Sequence, residues 1–195
     1  LKKLAAIGAL VLFPGCVAMA QQAGPAAPAE AGIERVAETL VRGHKALASN
    51  GSAQVLADAS TRLQDLGAKP ADDNEADRAR DWLAEARKRG LETETAPFRG
   101  RVLGPAYRSG SLAPGEASET SQLFLAGEQA EVVAIPVEST TLQLEIVEGE
   151  GQRNCTPPPT SARSVCRWIP IFTSRYQIRV RNIGERPSAF YLVTN

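Results

Sequence analysis

The spacing of apolar positions changes three times along this chain, and each regime predicts a different structure. Residues 4–17 are almost continuously apolar, whereas 21–31 (QQAGPAAPAEA) carry hardly any bulky side chain and predict a flexible linker. From Ile33 the step becomes three or four. Ile33, Val36, Leu40, His44 and Leu47 share one helical face, with Glu34, Arg35, Glu38 and Arg42 on the other. Ser49-Asn50-Gly51 should end that helix, with Gly51 in the left-handed cap and Ser52 opening the next. A second helix, roughly 52–66, turns Val55, Leu56, Ala59, Leu63 and Leu66 inward until Gly67 and Pro70 break it. A third is expected to open on Asp72-Asp73-Asn74-Glu75, where Asp72 and Glu75 have capping-box spacing, and to bury Trp82, Leu83 and Ala86 before Gly90 closes it.

From about residue 96 the period is two. Leu123-Phe124-Leu125 reads as one strand with its two leucines facing one way; Val133, Ile135 and Val137 line the next, and Leu142, Leu144 and Ile146 its successor, with Gln143 and Glu145 opposite. Tyr176, Ile178 and Val180 alternate with Gln177, Arg179 and Arg181, and Phe190-Tyr191-Leu192-Val193 closes the series. Residues 98–103 and 167–172 are expected to add a strand each. Short strands, Gly-rich turns and no crossover helices predict a mostly β protein: a small antiparallel β-sandwich over 96–195, preceded by an all-α three-helix segment over 32–90. The helical segment is rich in Ala and short of large apolar groups, so it should dock on the second half or on another chain.

The beginning of the chain suggests an address. Lys2 and Lys3, the apolar stretch, and Ala18-Met19-Ala20 have the layout of a signal peptide over 1–20, cut after Ala20. The stretch is shorter than the ~20 residues of a membrane span and contains Pro14 and Gly15. Cys16 follows Gly15 as in a lipoprotein signal, but Phe13 and Pro14 do not suit the small-residue pattern of such signals. Without residues 1–20 the chain keeps 20 basic and 22 acidic groups, and it lacks the basic stripe that nucleic acid would require. A periplasmic or secreted location follows, with an envelope protein or a glycan as partner and no stable membrane span in the mature chain. Two cysteines then remain, Cys155 and Cys166. In an exported chain they are expected to form a disulfide whose loop contributes on the order of 3 kcal/mol. No cofactor is expected, and a metal site would need further Cys or His ligands.

The strand half has a familiar order of events. A polar approach leads into SQLFLAGEQAEVVAIPV, then the alternating TTLQLEIVEG, an excursion, and IPIFTSRYQIRVRNIGERPSAFYLVTN. Residues 118–194 thereby resemble the bacterial pre-peptidase C-terminal domain family, a jelly-roll-like sandwich of secreted proteins, often appended to proteases. The resemblance implies a proline-bearing strand at Ile169 to Phe172, a turn at Thr173-Ser174, and an accessory role without catalytic residues. Where family members often carry acidic residues linked to calcium, this chain has Ser139-Thr140-Thr141, and no aspartate occurs after Asp81.

Candidate chemistry is sparse. His44 is the only histidine and sits on an apolar helix face, which suits a packed residue better than an acid or base. Asp72-Asp73-Asn74-Glu75-Ala76-Asp77 lacks the glycine and closing glutamate of a calcium loop. Glu138, Glu145, Glu148 and Glu150 could pair across a sugar in a hydrolase. Arg175, Arg179 and Arg181, with Arg167 and Arg186, could bind an anionic glycan or simply form cross-strand ion pairs on a solvated face. The segment joining the halves contributes Arg99, Arg101, Tyr107 and Arg108 as further binding candidates, and Pro157-Pro158-Pro159 stiffens the presumed disulfide loop. A non-enzymatic interaction module is the expectation, with a hydrolase or hydrolase inhibitor as the alternative.

Overall fold

The structure, a computed structural model, describes residues 32–92, 104–149 and 151–195. The signal peptide and linker read at 1–31 lie outside these residues, as do Arg99, Arg101 and the strand expected over 98–103. Three helices are followed by a two-sheet β region, a mixed α and β fold.

Helices α1 (Gly32–Ala48), α2 (Ala53–Asp65) and α3 (Arg78–Lys88) bury the expected Ile33, Val36, Leu40, Leu56, Leu63, Trp82 and Ala86. The buried stripe of α1 ends on Gly43 and Ala46, while Leu47 is 38% exposed, because a 3.6-residue period drifts off a strict step of four. Asn50 (φ 48°), not Gly51, takes the left-handed cap, and the Ser52 hydroxyl accepts from Gln54 N–H as expected. Gly43 is needed for space: the Trp82 ring occupies the position that a β-carbon there would take.

The third helix starts later than its acidic run suggested. Asp77 is the N-cap and accepts from Arg80 N–H at 3.1 Å. Asp72 and Glu75 instead belong to a loop clamped on strand β2 (Ala106–Leu112). Asp72 pairs with Arg108, and Glu75 accepts from the Ser109 N–H at 2.8 Å and the Ser109 hydroxyl at 2.6 Å. Those carboxylates are satisfied by donors of the strand, so they do not cap a helix. A two-residue strand, β1 (Lys69–Pro70), pairs with β2 in parallel, the one departure from antiparallel order among the described strand pairs.

The remaining strands are β3 (Ala117–Phe124), β4 (Ala130–Pro136), β5 (Leu142–Glu148), β6 (Gln152–Cys155), β7 (Ser164–Trp168), β8 (Ser174–Asn182) and β9 (Ser188–Thr194). One sheet has the order β1-β2-β9-β4-β7 and the other β3-β8-β5-β6. Two apolar clusters organise them. One joins Val133, Tyr107, Tyr191 and Val193 of the five-stranded sheet, and Val137 just after β4, to the helices, with α1 against β4 and β9. The other draws Val132, Ala134, Phe190 and Leu192 from that sheet, and Leu144, Ile146, Tyr176, Ile178 and Val180 from the four-stranded one. Helix docking on the second half, one of the two alternatives the small helical core left open, is therefore how this chain buries it. Ion pairs border the contact: Glu34 of α1, 5% exposed, meets Arg163 and Arg167, and Arg167 also reaches Glu131 at 2.8 Å.

In β3 the structure settles the facing that the sequence left open: Phe124 points inward (4% exposed) and Leu123 and Leu125 outward, since Phe124 stacks edge-on against Trp168 and Tyr176. The strand expected over 167–172 ends at Trp168, and Ile169–Phe172 form a loop whose Pro170 carbonyl accepts from Gly127 N–H at 2.9 Å. Pro170 has no N–H to give a ladder, which explains why pairing stops there.

Candidate functional site

The outward face of the four-stranded sheet carries three of the arginines singled out by sequence. β8 alternates, so Arg175, Gln177, Arg179 and Arg181 are exposed between the buried Tyr176, Ile178 and Val180. Register places Glu119 and Glu145 on either side of Arg179. The Arg179 Nε donates to Glu119 at 2.7 Å, and a second guanidinium nitrogen lies 3.9 Å from Glu145. Arg153 of β6 reaches the same Glu145 at 2.8 Å, and Arg181 donates to the Gly115 carbonyl at 3.2 Å. Cross-strand ion pairs are thus present, as the solvated-face reading required.

The pairing is incomplete in charge. A shallow cleft of about 220 Å³ is lined by Gln143, Glu145, Arg153, Thr156, Arg179 and Arg181. Three guanidinium groups line it with one carboxylate, Glu145, and Glu119 holds Arg179 from the neighbouring strand. The Arg179–Glu119 pair is exposed on both sides, and such pairs are worth ~0–1 kcal/mol, so an incoming carboxylate, sulfate or phosphate can replace the contacts of Glu119 at little cost. The planar fork of each guanidinium suits such groups, and Gln143 and Thr156 add neutral hydrogen-bonding partners. The disulfide joins Cys155 to Cys166 (S–S 2.08 Å) and ties β6, which bears Arg153, to the opposite sheet.

Other residues singled out lie elsewhere. Tyr107 is 1% exposed; its hydroxyl accepts from Arg78 N–H at 2.8 Å and donates to the Ala76 carbonyl at 3.1 Å, holding the start of α3 to β2. Burial pushes its phenol well above the ordinary range, so it stays protonated. Arg108 is engaged with Asp72. Arg175 is at the far end of β8, opposite Leu123 and away from the cleft. The glutamates do not converge as a hydrolase pair would: Glu145 lies on the outward face, whereas Glu138 accepts from the Ser188 hydroxyl (2.7 Å) and Ala189 N–H (2.9 Å) beside the helices. Burial works to raise the Glu138 carboxyl, yet those hydrogen bonds hold it below its usual range. Glu150 lies outside the described residues.

His44 is half-buried against the five-stranded sheet, with Nδ1 3.0 Å from the Tyr191 hydroxyl. Burial raises that phenol to about 12, so it keeps its proton, and the direction of the bond follows the histidine tautomer. Burial of His44 itself lowers its pKa, which the Glu138 charge opposes and Arg78 reinforces. It is a packed, hydrogen-bonded histidine. Among the described residues, no His, Cys, Asp or Glu cluster is arranged to hold a metal, and no helix is long and apolar enough to cross a membrane.

Sequence reading missed a second surface. Leu123, Leu125, Ile169, Ile171 and Phe172 are 49, 49, 64, 83 and 74% exposed and gather where the β3–β4 turn meets the β7–β8 loop. The two loops are bonded to each other through Gly127 N–H to Pro170 O and Ala126 N–H to the Thr173 hydroxyl at 3.0 Å. The available signal was the run Trp168-Ile169-Pro170-Ile171-Phe172, apolar without alternation and interrupted by proline.

No family model matches the chain, and no curated protein does. Among solved structures it has a distant match to the pre-peptidase C-terminal domain of collagenase from Bacillus anthracis, at 8% identity and a TM-score of 0.42, over 46% of this chain and 88% of that one. A Yersinia pseudotuberculosis-derived mitogen matches at 11% identity and 0.39, over 47% and 85% of the two chains. Aeromonas hydrophila PliG, a periplasmic inhibitor of g-type lysozyme, matches at 12% and 0.35, over 47% and 84%.

Proposed function

We propose that this chain is an exported, non-enzymatic binding module that recognises acidic glycans on the outward face of its four-stranded sheet. In this reading residues 1–20 are a signal peptide and 21–31 a linker. The strands within 96–195 form an antiparallel sandwich of jelly-roll type, and the helical unit of 32–90 closes one outer face of it. The helices make the module rigid and leave the other outer face to the ligand.

One observation carries the proposal: the guanidinium groups of Arg153, Arg179 and Arg181 line one cleft with two carboxylates against them, Glu145 within it and Glu119 on Arg179, which leaves one cation of this group in excess. A glycan bearing carboxylate or sulfate groups matches that excess of positive charge, and its hydroxyls match Gln143 and Thr156. Low aromatic content argues against recognition by sugar-ring stacking, so charge must supply the selectivity.

The test is titration of the chain from Gln21 onward with oligogalacturonate, sulfated dextran and neutral dextran at low and moderate salt. Acidic polymers should bind with an affinity that falls as salt rises. Arg179→Ala and Arg181→Ala should each weaken them about tenfold, the scale of one charge-assisted hydrogen bond. Equal binding of neutral dextran, or binding indifferent to both substitutions, would remove the glycan reading.

A further inference from the structure

We propose that the apolar tip formed by Leu123, Leu125, Ile169, Ile171 and Phe172 is a self-association surface, through which two copies of this chain pair about a twofold axis. The proposal is independent of the glycan reading, because the tip and the arginine cleft share no residue.

Size is the first argument. The exposed fractions of the five side chains correspond to on the order of 600 Å² of apolar surface, at the upper end for the largest patch on a monomer, and such patches mark interaction sites. A stable interface takes about 800 Å² from each partner. The polar rim of Glu128, Gln129, Thr173 and Arg175 supplies an area of the missing order.

Shape is the second. The loop Ile169–Phe172 projects, its Ile171 being the most exposed large apolar side chain described. Beside it opens a cleft of about 510 Å³, lined among others by Leu123, Leu125, Gln122, Ala106 and Glu128. That volume accommodates the side chains of Ile171 and Phe172 together. A projection and a hollow on one end of one molecule are what an isologous dimer needs, since each copy offers both and receives both.

Charge is the third and selects the occupant. The rim carries both signs: Arg175 stands opposite Leu123 in register, and Glu128 sits in the turn after Leu125. The proposed twofold pairing brings Arg175 of one copy to Glu128 of the other, so that neither charge is left unpaired. An anionic bilayer would gain from Arg175 and from Lys69 in the cleft but leave Glu128 opposed, whereas a second copy can pair Glu128 with Arg175.

Sedimentation equilibrium of the chain from Gln21 onward, which retains every described element, tests this. A dimer with micromolar dissociation is expected, as weak interfaces of this size show. Ile171→Asp with Phe172→Ser should raise the dissociation constant at least about 100-fold, the loss expected when two central anchors of an interface are removed. Because both side chains lie mostly in solvent, the variant should keep the circular dichroism of the parent and, at concentrations low enough for the parent to be monomeric, its melting temperature. Arg175→Glu alone should weaken pairing about tenfold, and adding Glu128→Arg should restore it, as reciprocal charges across an interface require. A parent that stays monomeric at every concentration would overturn the proposal, as would a dimer indifferent to the tip substitutions. So would a monomer that instead co-sediments with phosphatidylglycerol vesicles.

Discussion

Strands β8 and β9 each lie between two hydrogen-bonded neighbours, yet they meet water differently. In β8 every second residue is exposed, while in β9 Phe190, Tyr191, Leu192 and Val193 are all buried. The inward sets, Tyr176-Ile178-Val180 and Phe190-Leu192, enter the same cluster. What separates the strands is the outward set: Arg175, Gln177, Arg179 and Arg181 on one, Tyr191 and Val193 on the other. Covering four polar side chains with a helix would desolvate three guanidinium groups, at several kcal/mol each, whereas covering Tyr191 and Val193 is favourable. The chemistry of the outward positions therefore decides which sheet receives the helices and which stays open to solvent.

Substitutions in the covered interface should have the largest effects. Trp82→Ala removes a fully buried ring that packs on Gly43 and should cost about 3–5 kcal/mol, read as a lowered denaturant midpoint in urea. Gly43→Ala sharpens the point by its sign. Helix propensity favours Ala by about 1 kcal/mol, but the new methyl group meets Trp82, and overpacking should leave the variant about 1–3 kcal/mol less stable.

A smaller effect depends on pH. Burial holds His44 below its usual value of 6.5, so the unfolded chain takes up its proton at higher pH than the folded one. Stability from this residue is complete above about pH 6.5 and is lost as pH falls toward the folded-state pKa. Urea melts between pH 7.5 and 5.5 should show that decline, and His44→Gln should flatten it. Smallest of all, Arg179→Ala on the open face should shift stability by no more than about 0.5 kcal/mol while weakening acidic glycan.

Alternation of large side chains was the legible part of this sequence. It located β5 and β8 and their inward residues, and the two cysteines of the exported reading form the disulfide. The outward row of arginines was legible for the same reason. β2 and most of β3 were not. AYRSGSL and ASETSQLF owe their strand form to backbone pairing with β9 and β8 rather than to an apolar period. Leu123, Phe124 and Leu125 alone do not set the facing of β3, which is decided by the aromatic partners that Phe124 finds in Trp168 and Tyr176. Asp72 and Glu75 were read as a helix start because their donors, Arg108 and Ser109, are more than thirty residues away in sequence. The apolar tip was hidden by the assumption that apolar runs go inside. The cleft around Glu145 depends on three strands meeting in register, which no local pattern encodes.

Thiol labelling compares the two outward faces most directly, because neither disulfide cysteine is free to react. Val133→Cys, under the helices, and Gln177→Cys, on the open sheet, would be prepared in the chain from Gln21 onward and exposed to a maleimide. Gln177→Cys should react at once, and Val133→Cys only at the rate of unfolding. Comparable rapid reaction at both positions would mean that the helices do not cover the five-stranded sheet, and slow reaction at position 177 would mean that the arginine face is not open.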